Sequence, residues 1–305
     1  MSALRSLILA AAESTRLQRL VQRYGFRLGA ARFVAGQTLD EAVPVLRRLN
    51  ENGLLTNTTL LGEGVREEGE TRSVVIAYRE VLDRIAAEGL RTNVALKLTH
   101  LGLRIDEELA RRNLAELVEH AARVGNFVRI DMEESRHVDA TLRIYRSLRD
   151  DGHENVGVVL QSYLFRSEDD LAALLPLAPN LRIVKGAYLE PPDVAYPQKR
   201  DVDAAYASLV EASLGGEGFT AIATHDEKLI EHAISFARER GIPNERFQFQ
   251  MLYGVRPRLQ LDLVRRGFGV LVATPYGPEW YRYLMRRLAE RPANLLFFLR
   301  NLVRG

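Results

Sequence analysis

Cysteine is absent from the 305 residues. That excludes disulfide staples, thiolate metal ligands and a cysteine nucleophile, and it fits a reducing cytoplasm. Histidine is scarce, at six residues with no H-x-H or H-E-x-x-H spacing, so a histidine-based metal site has no support. No apolar stretch approaches the roughly 20 residues of a transmembrane helix. The opening stretch MSALRSLILAAAES has some look of a signal peptide, but its apolar run Leu7–Ala12 is shorter than the usual core of about 7–15 residues, and Arg16 and Arg19 follow closely. It reads as an amphipathic helix that could lie on a membrane surface. An excess of one charge is lacking too: the net charge is +2 with both signs interspersed, and no basic run points to a nucleic-acid partner.

What is present is ordinary globular material, 47% hydrophobic and 27% charged, long enough for one large domain or two small ones with a core that needs no staples. Residues 4–50 read as helical. Leu4, Leu7, Ile8 and Ala11 recur at helical spacing, as do Leu17, Leu20, Val21 and Tyr24, and then Leu39, Ala42, Val43, Leu46 and Leu49. Thr38 is placed to cap the last of these helices, with Glu41 completing a capping box and Gly53 closing it. The rhythm then changes. Strand candidates fall at Asn57–Gly62, Asn93–Thr99, Phe127–Met132, Val156–Tyr163, Leu181–Tyr188, Phe219–His225, Phe247–Leu252 and Gly269–Thr274. Amphipathic segments alternate with them, among them Glu107–Val124, Val138–Asp150, Ser167–Leu175, Val202–Leu214, Glu227–Arg240 and Arg258–Arg266. Eight strands, each followed by a helix over about 250 residues, predict an α/β fold of the (β/α)8 TIM-barrel type. We expect a single domain over 1–305, with residues 1–53 a helical segment packed on a barrel spanning 54–305.

The strand ends carry unusual polar residues. Lys97 ends the second strand; Asp131, Met132 and Glu133 end the third; Gln161 and Tyr163 end the fourth. The fifth holds Arg182 and ends Lys185-Gly186-Ala187-Tyr188, the sixth ends Thr224-His225-Asp226, the seventh carries Gln250, Leu252 and Tyr253, and the eighth ends Ala273-Thr274-Pro275-Tyr276. Charged and amide groups inside apolar strands are costly unless paired or bound to a ligand, and barrel active sites lie at this end of the strands. A purely structural polar network is the competing reading. Beyond the eighth strand, Pro275, Gly277 and Pro278 break the chain, and a helix should run from Glu279 or Trp280 to about Glu290, with Pro292 opening or kinking the next segment. Tyr283, Arg286, Arg287 and Glu290 share one face of it. Two adjacent guanidinium groups beside an aromatic ring suit a small organic carboxylate; ordinary surface pairing with Glu279 or Glu290 is the alternative. Four chemistries can be weighed. Metal binding is poor. Phosphate binding by a glycine loop is weak, because Gly62, Gly64 and Gly69 lack the trailing Lys-Ser/Thr and no G-x-G-x-x-G follows a strand. A Schiff-base lyase or aldolase could use Lys97 or Lys185, with Asp131 as proton shuttle. A cofactor held over the barrel mouth could use Gln161, Arg182, Lys185-Gly186-Ala187 and Thr224-His225.

In order along the chain stand LKLT, RIDMEES, VVLQSYLFRS, LRIVKGAYLEP, IATHDEKLI, FQFQMLYGVR and YRYLMRRLAERPANL. With them the chain resembles the proline dehydrogenases, and among these the short monofunctional bacterial kind, from about Arg32 to Gly305. The resemblance implies FAD on a distorted barrel and oxidation of L-proline to 1-pyrroline-5-carboxylate by hydride transfer to flavin N5. It also implies electrons passed to a membrane quinone, a pyrroline-5-carboxylate dehydrogenase as functional partner, and a cytoplasmic protein that could sit at the inner face of the membrane. It makes Lys97, Arg286 and Arg287 the clamp on the substrate carboxylate, and Asp131 and Arg182 the active-site Asp and Arg, the latter near N5. Met132, Gln161, Lys185, Gly186, Ala187, Thr224 and His225 match flavin-binding positions, with Tyr188 close to both flavin and substrate. Leu252, Tyr253 and Tyr283 match the substrate pocket, and Glu290 the polar network behind the arginines. One position departs: Ala273 stands where the family usually carries a Tyr packed on the substrate ring. Relatives acting on hydroxyproline also carry a small residue there, so the resemblance leaves hydroxyproline or a larger cyclic amino acid as alternatives.

Overall fold

The computed structural model describes residues 30–62, 65–281 and 283–285. Eight parallel strands close into a barrel in sequence order: β1 (Leu55–Leu60), β2 (Thr92–Lys97), β3 (Val128–Asp131), β4 (Val156–Gln161), β5 (Asn180–Val184), β6 (Phe219–Ala223), β7 (Phe247–Leu252) and β8 (Val270–Tyr276). Helices α1 (Leu39–Glu51), α2 (Glu68–Ala87), α3 (Glu107–Arg123), α4 (Val138–Asp150), α5 (Ser167–Leu174), α6 (Lys199–Gly215), α7 (Glu227–Glu239) and α8 (Pro257–Arg265) precede, join and surround them. This is the barrel that the alternating pattern predicts.

Strand register sorts the side chains. Registered neighbours point to the same face of a sheet, and successive residues alternate. The outward set is apolar: Val94 and Leu96, Val128 and Ile130, Val156 and Val158, Leu181 and Ile183, Phe249 and Met251 all lie buried against the helices in one continuous core. Each such side chain contributes roughly 1.5–3 kcal/mol by leaving water. The inward set follows from the pairs Asn57↔Asn93, Lys97↔Asp131, Arg129↔Gly157, Val159↔Arg182, Arg182↔Ala221, Gln250↔Ala223, Leu252↔Ala273 and Asn57↔Ala273. A barrel interior is ordinarily filled by Val, Ile and Leu. Here β1, β3, β5 and β7 send in Asn57, Arg129, Asp131, Arg182 and Gln250, β2 and β4 add Asn93, Lys97 and Gln161, and Ala95, Gly157, Ala221, Ala223 and Ala273 leave them room.

Local signals operate much as their chemistry dictates. Thr38 caps α1 by accepting from Glu41 N–H. The Glu41 carboxylate reaches back to Gln37 N–H at 2.7 Å, one residue earlier than a capping box requires. Gly53, at φ +82°, follows the helix as expected. Pro275 does not break the chain before the last helix: β8 runs through it to Tyr276. Its missing N–H falls on the side of β7, which has already ended at Leu252, and its carbonyl accepts from Ala35 N–H at 2.8 Å. An absent donor is harmless where no partner strand remains. Residues 280, 281 and 283–285 are helical, in line with the expected start near Trp280.

The described part of the N-terminal segment packs on the barrel. Ala30, Phe33 and Val34 form a second apolar cluster with Val255, Trp280, Tyr281, Leu284 and Met285. The approach is close: a Cβ at Gly254, which also sits at φ +75°, would lie 1.8 Å from the Arg32 carbonyl oxygen. Among the described residues, no helix is long and apolar enough to cross a membrane.

Candidate active site

One interior layer is built from four alternate strands: Asn57 on β1, Asp131 on β3, Arg182 on β5 and Gln250 on β7. Arg182 is its hub. It donates from Nη1 to Asp131 Oδ1 at 2.6 Å, from Nε to Gln250 Oε1 at 2.5 Å, and from Nη2 to Asn57 Oδ1 at 3.4 Å. Asn57 passes the chain on, donating from Nδ2 to Asn93 Oδ1 at 2.6 Å. Burial pushes the Arg182 guanidinium below its ordinary pKa, and Asp131 opposes that shift. Two residues earlier than Asp131 on β3, buried Arg129 donates to the Val158 carbonyl at 3.1 Å, the Asn180 carbonyl at 2.6 Å and the Asn180 side chain. Gly157 makes this arrangement fit, because a Cβ there would lie 2.4 Å from Arg129 Nη1.

Lys97 points inward beside Asp131, its partner in register. Two residues beyond Asp131, buried Glu133 accepts from Thr99 N–H at 3.0 Å and from Thr99 Oγ1 at 2.6 Å, which ties the turn after β2 to the end of β3. Burial raises the Glu133 pKa, and the Thr99 bonds and the Lys97 charge oppose the shift. Leu252 and Ala273 are neighbours on the inner wall, and Tyr253 N–H donates to the Ala273 carbonyl at 2.9 Å. Ala273 is only partly buried. Met132, just past the end of β3, is buried in the main apolar core.

The loops after β4, β5 and β6 hold the remaining predicted positions. Gln161 is buried, and its Oε1 has no hydrogen-bond partner among the described residues. Lys185 meets Asp203 of α6 at 2.5 Å and Asp226 at 3.7 Å. Engagement by two carboxylates suits a fixed cation better than a neutral amine nucleophile. Burial works to raise the Asp203 pKa, but Lys185 and Lys199 outweigh it and hold the group below its ordinary value. Gly186 lies at φ +106° against the Tyr163 ring, where a Cβ would come within 2.3 Å of ring carbons. Ala187 is exposed and Tyr188 half-buried. Thr224 Oγ1 accepts from Asp226 N–H at 3.1 Å. His225 Nε2 accepts from Leu252 N–H at 2.9 Å, which places its ring proton on Nδ1. Glu190 accepts from Ser135 N–H at 2.7 Å and from Ser135 Oγ at 2.6 Å, so the β5 loop is strapped to the β3 loop.

The barrel therefore brings Lys97, Asp131, Gln161, Arg182, Leu252 and Ala273 to one inner wall, with Lys185, Gly186, Thr224 and His225 directly after the strands. Tyr283 packs against the second apolar cluster. Arg286, Arg287 and Glu290 lie outside the described residues. The sequence pattern did not single out Asn57 or the acidic partners Asp203 and Glu190. Asn57 stands among threonines in TNTT, where nothing in one strand marks it, and the two acids become partners only through contacts 18 and 55 residues away in sequence.

The family model described as proline dehydrogenase matches residues 42–300. Proline dehydrogenase 1 of Bacillus subtilis is 40% identical over 301 residues, covering 99% of this chain and 99% of that protein. The proline dehydrogenase of Deinococcus radiodurans is 39% identical over 305 residues, covering 99% and 98%. In structure, proline utilization A from Bdellovibrio bacteriovorus superposes with a TM-score of 0.84 at 23% identity, over 93% of this chain. This chain spans 36% of that longer protein, and the likeness is one of fold. From its full-length identity to the two bacterial enzymes and the family match over most of its length, the chain belongs to the proline dehydrogenase family.

Proposed function

We propose that this protein oxidises L-proline to 1-pyrroline-5-carboxylate, with FAD as the bound oxidant and a membrane quinone as the final acceptor. The observation that carries the reading is the inner layer in which buried Arg182 is fixed by Asp131 beside an inward Lys97. The residues present fit a flavin nucleotide. Gln161 offers a buried carbonyl oxygen that lacks a partner among the described residues, Lys185 a fixed cation, and Gly186 a backbone that approaches closely because it has no Cβ. Met132, Ala187, Tyr188, Thr224 and His225 complete the proposed cofactor contacts. When bound, the flavin supplies a two-electron acceptor that takes hydride from the substrate C5.

The chain's own groups do the rest. Lys97, with Arg286 and Arg287, holds the substrate carboxylate, and that anchor orients the ring. Leu252, Tyr253 and Tyr283 wall the pocket and exclude water. Asp131 keeps Arg182 in place. The substrate amine reacts in its neutral form, and no side chain is assigned as an obligatory base. Residues 1–305 act as one domain, and the N-terminal segment gives a cytoplasmic protein a means of lying against the inner membrane face to meet quinone. A pyrroline-5-carboxylate dehydrogenase would consume the product. The test is turnover of L-proline with an artificial electron acceptor, trapping the cyclic imine with o-aminobenzaldehyde. Wild type should form the adduct. Lys97→Met should raise KM at least tenfold, and an unchanged KM would remove Lys97 from the clamp.

A second reading concerns substrate range. Ala273 is partly exposed on the inner wall, between Leu252 of β7 and Asn57 of β1, and its methyl group leaves space there. That space suits 4-hydroxyproline or a larger cyclic amino acid. Relaxed choice predicts comparable turnover of proline and 4-hydroxyproline, with Ala273→Tyr restoring a preference for proline. A strong wild-type preference for proline would refute it.

A further inference from the structure

Arg182 is satisfied by acceptors of unequal charge. Of its five N–H groups, three are engaged, by Asp131, Gln250 and Asn57. One N–H on each terminal nitrogen is left over among the described residues. Only Asp131 brings a negative charge; the other two acceptors are amides. Hydrogen bonding alone does not call for an amide at either place, since a carboxylate oxygen would accept from a guanidinium more strongly. Both amides are also oriented. Gln250, buried at 4% exposure, turns its oxygen to Arg182 Nε. Asn57, at 1%, turns its oxygen to Arg182 and its nitrogen to Asn93. Nor does the surrounding interior restore neutrality. Arg129 is held by two backbone carbonyls and the Asn180 side chain, all uncharged. Across the inward faces of β3 and β5 stand two guanidinium groups and one carboxylate.

We propose that Gln250 is a positioning residue for Arg182: it fixes the guanidinium plane through Nε while leaving the positive charge compensated once only, by Asp131. Arg182 is thereby rigid, carries two spare donors and retains a positive field at the barrel mouth. Such a group stabilises negative charge that develops on a neighbouring ligand, and it does so without reorganising, because its three bonds are made beforehand. A carboxylate at position 250 would keep the geometry and cancel the field. This inference rests on the reading that Arg182 adjoins the bound flavin.

The experiment is the equilibrium reduction potential of the flavin in the holoenzyme, for wild type, Gln250→Glu, Asn57→Asp and Arg182→Met. A role confined to folding would change melting temperature and leave the potential alone. The proposal expects Gln250→Glu to disfavour the reduced cofactor at least tenfold, a shift of about 30 mV to more negative potential for a two-electron couple. Asn57→Asp adds the same charge from another strand, should shift the potential in the same direction, and decides the matter if Gln250→Glu does not fold. A carboxylate variant that binds flavin with a potential within threefold of wild type, while Arg182→Met shifts it, overturns the role of Gln250 alone. An unchanged potential in Arg182→Met overturns the placement of Arg182 beside the flavin, and this proposal with it.

Discussion

Replacing Asp131 should cost both stability and function, and the two losses can be separated. Arg182 is 8% exposed, and Asp131 is the only carboxylate hydrogen-bonded to it among the described residues. Removing one partner of a buried pair costs about 3–5 kcal/mol, because an uncompensated charge is left behind. Two features place this pair at the low end of that range. Gln250 and Asn57 still accept from the guanidinium, and the Asp131 side chain is 27% exposed, so water can partly replace it. For Asp131→Ala we expect a loss of about 3 kcal/mol. Asp131→Asn keeps an acceptor in place and loses only the charge, so it should fall nearer about 1.5 kcal/mol, the difference between a charged and a neutral hydrogen bond. A double-mutant cycle with Arg182→Met isolates the pair, with an expected coupling of about 2 kcal/mol. Urea is the denaturant of choice, since guanidinium salts compete for the carboxylate and screen the pair. A coupling below about 0.5 kcal/mol, the size seen for exposed pairs, would refute the description of Arg182–Asp131 as a buried pair.

Three further outcomes rest on the same geometry. Gly157→Ala should destabilise by about 1–3 kcal/mol through overpacking, since its Cβ would meet Arg129 Nη1 at 2.4 Å and the Asn180 carbonyl at 2.5 Å; urea midpoints test this, and a neutral effect would mean the Arg129 pocket is loose. Gly186→Ala should weaken flavin binding at least tenfold and also cost about 1–3 kcal/mol of stability, because the residue sits at φ +106° and its Cβ would meet the buried Tyr163 ring; fluorescence titration of the apoprotein with FAD gives the answer, and unchanged affinity would remove this loop from the cofactor site. Glu133 carries a pH signature. Burial raises its folded pKa above the unfolded value of about 4.3, so the native state holds the proton more tightly and the stabilisation is present at low pH and lost as pH rises through the folded pKa. Relative to Glu133→Gln, wild type should therefore be more stable at pH 4 than at pH 7.5; a difference independent of pH would show that the Thr99 bonds cancel the burial effect.

The barrel was legible because it is written twice, once in the alternation of short β-branched runs with amphipathic segments and once in the polar residues that end those runs. Lys97, Asp131, Gln161 and Arg182 stood out as charged or amide groups in apolar strands, and the closed sheet places all four on the inward face. Asn57 did not stand out, because its neighbours Thr56 and Thr58 are polar too. Its role comes from the register Asn57↔Asn93 and the reach of Arg182 across the barrel, 125 residues away in sequence. The pairing of Lys185 with Asp203 was hidden for a similar reason: Asp203 belongs to a helix whose face becomes defined only once the barrel closes. Pro275 misled in the opposite direction. A proline ordinarily argues against a strand interior, but the shorter neighbour β7 leaves its missing donor without consequence.

The proposed function requires this barrel to hold a flavin and to oxidise proline with it. The most direct measurement is the visible absorbance spectrum of the purified protein under anaerobic conditions, before and after addition of L-proline. A flavin-dependent proline dehydrogenase should be a yellow protein whose flavin band bleaches with the substrate. A flavin band untouched by L-proline and by trans-4-hydroxy-L-proline would contradict the assigned substrate class, and a colourless protein that takes up no FAD on incubation would contradict the cofactor and the mechanism together.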